Sequence, residues 1–136
     1  MIQFYFLSIF FNVLAGLALI LENEKDALEI RPGLSLKDET VRLILGILCI
    51  ATGVLKILSP IEGDVLILGD LVPAVIGIAS GLILVIENYK NRSSVAQAPQ
   101  EKTAFNTVLV QNKKIIGYAA IVVAILHFLF PKVLFL

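Results

Sequence analysis

Four long apolar runs dominate the sequence, and each has the length of a helix that crosses a bilayer. A hydrocarbon core about 30 Å thick needs about 20 apolar residues per helix, because an α-helix rises about 1.5 Å per residue. The chain is 58% hydrophobic and only 16% charged, unlike a soluble domain. The sequence therefore predicts an all-α integral membrane protein with four transmembrane helices, at about residues 2–22, 38–59, 70–89 and 113–131.

The basic residues predict the orientation of these spans. Lysine and arginine are retained on the cytoplasmic side of a membrane. The opposite face has only Lys56 and Lys132, so both long loops, at about 23–37 and 90–112, are expected in the cytoplasm and both termini outside. This indicates a multi-pass protein of the plasma membrane, or inner membrane in bacteria. The basic residues of the connecting segments at 22–42 and 87–114 are Lys25, Arg31, Lys37, Arg42, Lys90, Arg92, Lys102, Lys113 and Lys114.

The spans also match one another in pairs. AGLALILEN at 15–23 aligns with SGLILVIEN at 80–88, and GILCIATGVLKILSP at 46–60 aligns with GYAAIVVAILHFLFP at 117–131. We interpret this as two tandem helical hairpins, a pseudo-repeat about an axis along the membrane normal. Short interfacial segments are expected after the second and fourth spans. Chance similarity between apolar segments is the alternative.

Small residues recur at helical spacing on several spans. Glycine and alanine allow helices to approach closely in lipid, so these positions are expected to pack helices together. The contact would lie within the chain or against another copy. The predicted packing residues are Gly46, Gly53, Gly77, Gly81, Gly117, Ala120 and Ala124.

Three ionisable residues, Asp70, Lys56 and His127, lie near the outer ends of their spans. Lys56 and His127 each precede a proline by four residues, which places them about 6 Å inside the helix end. An isolated charge in hydrocarbon is costly, so a cluster that binds an ion, a proton or a lipid head group is one hypothesis. The alternative is structural: Asp70 caps a helix, Lys56 reaches the interface and His127 makes one hydrogen bond.

Other polar residues are given local roles. Glu22 and Glu87, at the ends of matched spans, are interpreted as solvated boundary residues, and Tyr5 as an interfacial aromatic. Residues 35–38 resemble a capping box at the start of the second helix, with the serine hydroxyl accepting from a backbone amide near residue 38. Residues 105–112 fit either a short strand or a lead-in to the last helix.

No motif identifies a reaction. The sequence has no glycine-rich phosphate loop, no HExxH and no paired cysteines or histidines, so no catalytic residue, metal or cofactor is predicted. The zero net charge gives no reason to expect a nucleic-acid partner.

An intramembrane enzyme, which would rest only on His127 and Asp70, is the least favoured hypothesis. Two other hypotheses are preferred. The preferred one is a non-enzymatic structural or accessory subunit of a membrane assembly, embedded in the bilayer as a homo-oligomer or within a larger complex. The alternative is a small ion, proton or solute transporter or channel that uses Asp70, Lys56 and His127. Against transport stands the small number of polar residues near the middle of the spans: Asn12, Thr52 and Ser80.

Overall fold

The computed structural model describes residues 2–21, 29–31, 34–58, 71–93 and 104–130 of the 136-residue chain. Within these ranges the chain is α-helical apart from one short pair of strands. In chain order the elements are α1 (Ile2–Ile20), β1 (Glu29–Arg31), β2 (Leu34–Ser35), α2 (Glu39–Leu58), α3 (Leu71–Ser93), α4 (Ala104–Gln111) and α5 (Lys113–Leu129).

Three helices, α1, α2 and α3, are long and apolar enough to cross a membrane. Their apolar stretches are Gln3–Ile20, Glu39–Leu58 and Leu71–Asn91. The predicted α-helical class is confirmed, and three of the four predicted spans have the length and hydropathy of a membrane-crossing helix. Helix α5, at 17 residues, is slightly shorter than these three.

A turn stabilised by Ser35 and Asp38 leads into α2. The amide of Ser35 donates to the carboxylate of Asp38 at 3.3 Å, and the Ser35 hydroxyl accepts from the amide of Lys37 at 3.2 Å. The hydroxyl was expected to accept from an amide near residue 38, and the amide of Lys37 directly precedes it. The carboxylate side of the capping arrangement does form, and α2 begins at Glu39, directly after Asp38. Strands β1 and β2 pair antiparallel just before this turn.

Helix α4 resolves the alternative left open by the sequence for residues 105–112. The segment is helical and leads directly into α5, with a one-residue break at Asn112. The Asn112 side chain donates to the carbonyl oxygen of Val108 at 3.0 Å, which holds the break against the preceding turn. Helix α3 continues to Ser93, beyond the predicted boundary at 89, so helix occupies both ends of the segment predicted as the loop 90–112.

The four long helices pack as a bundle with two central and two peripheral members. Helix α2 packs most extensively on α3, and α1 on α5. Helices α1 and α3 also contact each other, which leaves α2 and α5 at opposite corners of the bundle. The largest buried apolar side chains, Leu19, Ile83 and Leu84, come from the two central helices.

Two pairs of glycines set the closest approaches between helices. A Cβ built on Gly81 of α3 would lie 2.6 Å from the carbonyl oxygen of Gly46 on α2. A Cβ built on Gly16 of α1 would lie 2.7 Å from the carbonyl oxygen of Gly117 on α5. A side chain at either place would collide with backbone, so these helices can meet only because both positions are glycine.

The other predicted packing residues also face neighbouring helices. A Cβ on Gly53 would lie 2.9 Å from the carbonyl oxygen of Ala74, and one on Gly77 would lie 2.7 Å from the side-chain oxygen of Asn12. Ala120 and Ala124 on α5 are fully buried. The small residues therefore serve contacts within one chain. The predicted interfacial segments after the second and fourth spans lie outside the described residues.

Candidate functional site

Lys56 and His127 meet inside the bundle. The Nζ of Lys56, near the end of α2, lies 2.5 Å from the Nε2 of His127, near the end of α5. The two side chains are buried, with 5% of Lys56 and 1% of His127 exposed. Because α2 and α5 stand at opposite corners, this contact spans the bundle at the end where both helices finish.

Tyr5 of α1 completes the group of side chains at this end. Its hydroxyl donates to the carbonyl oxygen of His127 at 2.6 Å. Its ring lies 4.7 Å from the imidazole ring, centroid to centroid, and the Nζ of Lys56 lies 5.6 Å from the tyrosine ring centroid. We call Tyr5, Lys56 and His127 the outer cluster, after the side of the membrane expected for it.

The sequence predicted a cluster of Asp70, Lys56 and His127. The structure brings Lys56 and His127 together, whereas Asp70 lies just before α3 and outside the described residues. Tyr5 was interpreted as an interfacial aromatic, but it contacts both members of the pair. The sequence did carry a signal for Tyr5. In the repeat that matches the first span to the third, Tyr5 aligns with Asp70, a member of the predicted cluster.

Polar side chains continue into the middle of the bundle. Asn12 of α1 donates from Nδ2 to the carbonyl oxygen of Pro73 on α3 at 3.1 Å, and Ser8 is buried one turn away. The hydroxyls of Thr52 and Ser80 are buried and donate to carbonyl oxygens of their own helices at 2.8 Å. These polar residues near mid-span all face the protein interior.

A second charged group lies at the opposite end of the bundle. The Nη2 of Arg42 on α2 donates to one oxygen of Glu87 on α3 at 2.5 Å, and the Nζ of Lys113 on α5 donates to the other oxygen at 2.8 Å. The Nη1 of Arg42 donates to the carbonyl oxygen of Ala18 on α1 at 2.9 Å. We call Arg42, Glu87 and Lys113 the inner network. It connects all four long helices.

The inner network overturns the interpretation of Glu87 as a solvated boundary residue. Only 9% of Glu87 is exposed, and its two carboxylate oxygens accept hydrogen bonds from the side chains of Arg42 and Lys113. The sequence carried a signal for this group, since Arg42 and Lys113 have the same offset along the chain that aligns Lys56 with His127. Glu22, the residue aligned with Glu87, lies outside the described residues.

The bundle therefore carries ionisable groups at both ends and neutral polar groups between them. Arg42 and Lys56 lie about four turns apart on α2, which separates the two charged groups by about 21 Å along the helix. Across the part of the chain that the structure describes, no three His, Cys, Asp or Glu side chains are grouped as a metal ion requires. The groups at the two ends form ion pairs and hydrogen bonds.

A family of proteins of unknown function matches residues 1–127 of the chain. The chain belongs to this family. A protein of Treponema pallidum (strain Nichols), named only as an uncharacterized protein, is 32% identical over 137 residues that cover all of both chains. No solved structure is similar to the chain at a significant level.

Proposed function

We propose that α5 is a fourth span and that the chain forms two hairpins, α1 with α2 and α3 with α5, related by an axis along the membrane normal. Helix α5 has 17 residues, or about 26 Å, which approaches the thickness of the hydrocarbon core. The glycine contacts support the axis. Gly16 contacts Gly117. Gly81, which aligns with Gly16, contacts Gly46, which aligns with Gly117. The same two aligned positions therefore meet in both contacts, each time between opposite hairpins.

The contacts around these glycines match in further detail. A Cβ on Gly16 would meet Ile121, and one on Gly81 would meet Ile50, the residue aligned with Ile121. Similarly, a Cβ on Gly117 would meet Leu19, and one on Gly46 would meet Leu84, the residue aligned with Leu19. Chance similarity between apolar segments gives no reason for neighbours to correspond in this way, so the contacts favour the repeat.

We propose that the protein transports a proton, a small ion or a small solute across the membrane. The observation that carries this proposal is the burial of polar groups along the bundle interior. From the sequence alone, Asn12, Thr52 and Ser80 are few for the lining of a path, and the sequence does not show whether their side chains face the bundle interior. All three are buried, and they lie between the outer cluster and the inner network.

The cost of burying these groups supports a functional role. A charge within hydrocarbon is unfavourable, and apolar side chains of similar volume often give equal or greater stability than a buried ion pair. Arg42, Glu87, Lys56 and His127 are all buried. A functional role would give a reason to retain four such residues.

In the proposed mechanism, the conformation described is a closed one. The glycine contacts bring backbone to backbone between the two hairpins, and the two charged groups join helices across the bundle. Transport would require the hairpins to move relative to each other, opening one end while the other stays joined, as in transporters built from repeats. Asp70, Lys56 and His127 remain the proposed binding residues at the outer end.

A structural or accessory subunit is the second candidate, and the tight packing favours it. The mid-span hydroxyls are bonded to their own helices, and the glycines bring the helices into contact. In this interpretation the outer cluster and the inner network lock the bundle. The outward faces of α2 and α5, with side chains such as Ile47 and Val122, would contact lipid, another copy or a larger complex.

Reconstitution into liposomes distinguishes the two candidates. Transport predicts a flux of protons, Na⁺ or K⁺ above that of empty liposomes, reduced at least several-fold in Lys56→Met and Asp70→Asn. Lys114→Met, which changes an exposed lysine of α5, is the matched control and should retain the flux. A folded parent protein without flux, recovered in a complex of fixed stoichiometry, would favour the subunit.

A further inference from the structure

We infer that Asn12 joins the two proposed hairpins at their axis, and that one carboxamide at this place serves both hairpins. The inference rests on the proposed hairpin arrangement and transport function, and it assigns the residue that holds the hairpins together at mid-span. It comes from the contact of Asn12 with its own aligned residue, Gly77, and from its hydrogen bond to Pro73.

Asn12 and Gly77 occupy equivalent positions in the two hairpins. The offset that aligns residues 15–23 with 80–88 also aligns Asn12 with Gly77. In the structure, a Cβ on Gly77 would lie 2.7 Å from the Oδ1 of Asn12. In a two-fold arrangement, a position contacts its own equivalent only next to the axis. The contact therefore places both residues beside the axis, between α1 and α3.

The hydrogen bond of Asn12 crosses from one hairpin to the other. Its Nδ2 donates to the carbonyl oxygen of Pro73 at 3.1 Å, and only 2% of Asn12 is exposed. Pro73 precedes Gly77 by four residues, as Ser8 precedes Asn12. Each hairpin thus has a backbone carbonyl group at the same place relative to the axis, but only one of the two aligned positions carries an amide side chain. Gly77 leaves the space that this side chain fills.

The depth of Asn12 is that of a joint between two hairpins that move. Along α1 it lies about 10 Å from Tyr5 of the outer cluster and about 9 Å from Ala18, whose carbonyl oxygen binds the inner network. When two rigid bodies rotate against each other, displacement increases with distance from the point of rotation. A mid-span contact can therefore stay formed while one charged end opens. Asn12 is a positioning residue in this scheme.

Exchange of the two aligned residues tests the joint. Asn12→Gly should raise the ratio of unfolded to folded protein by about tenfold or more, because the hydrogen bond and the packing of the side chain are lost. Asn12→Gly combined with Gly77→Asn supplies the amide from the other hairpin, where it can donate to the carbonyl oxygen of Ser8. The exchanged protein has the composition of the parent, and its ratio should return to within about threefold of the parent value.

Ser80→Ala is the matched control for the loss of a buried polar group at mid-span. The Ser80 hydroxyl donates to the carbonyl oxygen of Ile76 in its own helix, so its removal should change the ratio by less than about threefold. Unfolding in mixed micelles, followed by circular dichroism, measures all the ratios. An exchanged protein that is no more stable than Asn12→Gly, or that does not fold, would overturn the inference. If Asn12→Gly itself does not fold, recovery of folded protein by the exchange is the same test.

Gly77→Ala gives a second measurement of the contact. In the parent, the new methyl group meets the Oδ1 of Asn12 at 2.7 Å. In Asn12→Gly this obstacle is absent, and the better helix propensity of alanine should dominate. Gly77→Ala should therefore be more favourable in Asn12→Gly than in the parent, by about threefold or more in the ratio of folded to unfolded protein. Equal effects in the two backgrounds would refute the joint.

The joint and transport can fail separately in these experiments. Recovery of stability by the exchange, without flux of protons, Na⁺ or K⁺ in liposomes, would support the joint and refute transport of these ions. Flux in the parent, without recovery of stability by the exchange, would retain transport and refute the joint.

Discussion

Arg42 and Glu87 form an ion pair across the α2–α3 interface, with 2.5 Å between Nη2 and Oε2. Their side chains are 8% and 11% exposed, and Lys113 binds the other carboxylate oxygen. One carboxylate thus binds two basic side chains that come from helices at opposite corners of the bundle. Removal of the Glu87 carboxylate should affect the arrangement of all the helices at this end.

Glu87→Gln should lower the free energy of unfolding by about 3 kcal/mol, because the buried Arg42 and the partly buried Lys113 lose a charged partner. Unfolding of the protein in mixed micelles, followed by circular dichroism, measures this. Glu39→Gln is the matched control, since the Glu39 side chain is exposed at the same end of the bundle, and it should cost less than about 1 kcal/mol. Equal effects of the two changes would contradict a structural role for the network.

Gly81→Ala should destabilise the bundle more than Gly77→Ala. The new methyl at position 81 meets the backbone oxygen of Gly46 at 2.6 Å, whereas at position 77 it meets the end of the Asn12 side chain, which can rotate. Overpacking against backbone costs about 1–3 kcal/mol, partly offset by the better helix propensity of alanine. Unfolding midpoints of both variants test this order, and the reverse order would contradict the described contact.

Lys56→Met and His127→Leu should show strong coupling in a double-mutant cycle. Either change alone removes the hydrogen bond between the two buried nitrogens, which costs about 1–3 kcal/mol. The double variant removes both nitrogens and should be less destabilised than the sum of the single variants by about 1 kcal/mol or more. Additive effects in the unfolding free energies would indicate that the contact contributes nothing.

Tyr5→Phe should cost about 1 kcal/mol, because the His127 carbonyl oxygen loses its hydroxyl donor while the ring contact remains. Tyr118→Phe is the control. Its side chain is exposed on α5, so the loss of the hydroxyl should have an effect close to zero. Unfolding free energies measured under identical lipid conditions compare the two, and an equal effect would show that the Tyr5 hydroxyl contributes nothing to stability.

The four-span topology predicts which positions react from each side of the membrane. With Cys49, which is buried, replaced by alanine, single cysteines would be placed at four exposed sites. An impermeant thiol reagent should label positions 3 and 130 from outside and positions 37 and 112 only from the cytoplasm. Labelling of 112 and 130 from the same side would show that α5 does not cross. The substitutions are Gln3→Cys, Phe130→Cys, Lys37→Cys and Asn112→Cys.

The sequence by itself predicted the long helices and their approximate positions along the chain. A run of about 20 apolar residues has few stable alternatives to a helix in lipid, because every backbone amide must be bonded within the chain. The spacing of Lys56 and His127 from their helix ends predicted that they lie at similar depth. Depth follows from counting residues along a helix, and this required no knowledge of the neighbouring helices.

Only the tertiary structure decided which faces of the helices meet. The rotation of each helix about its axis depends on contacts between residues far apart in sequence, such as Gly46 with Gly81, and apolar segments leave many rotations open. For this reason Glu87 looked like a boundary residue until Arg42 and Lys113 were found on both sides of it, and Tyr5 became part of the outer cluster only when α1 was packed against α5.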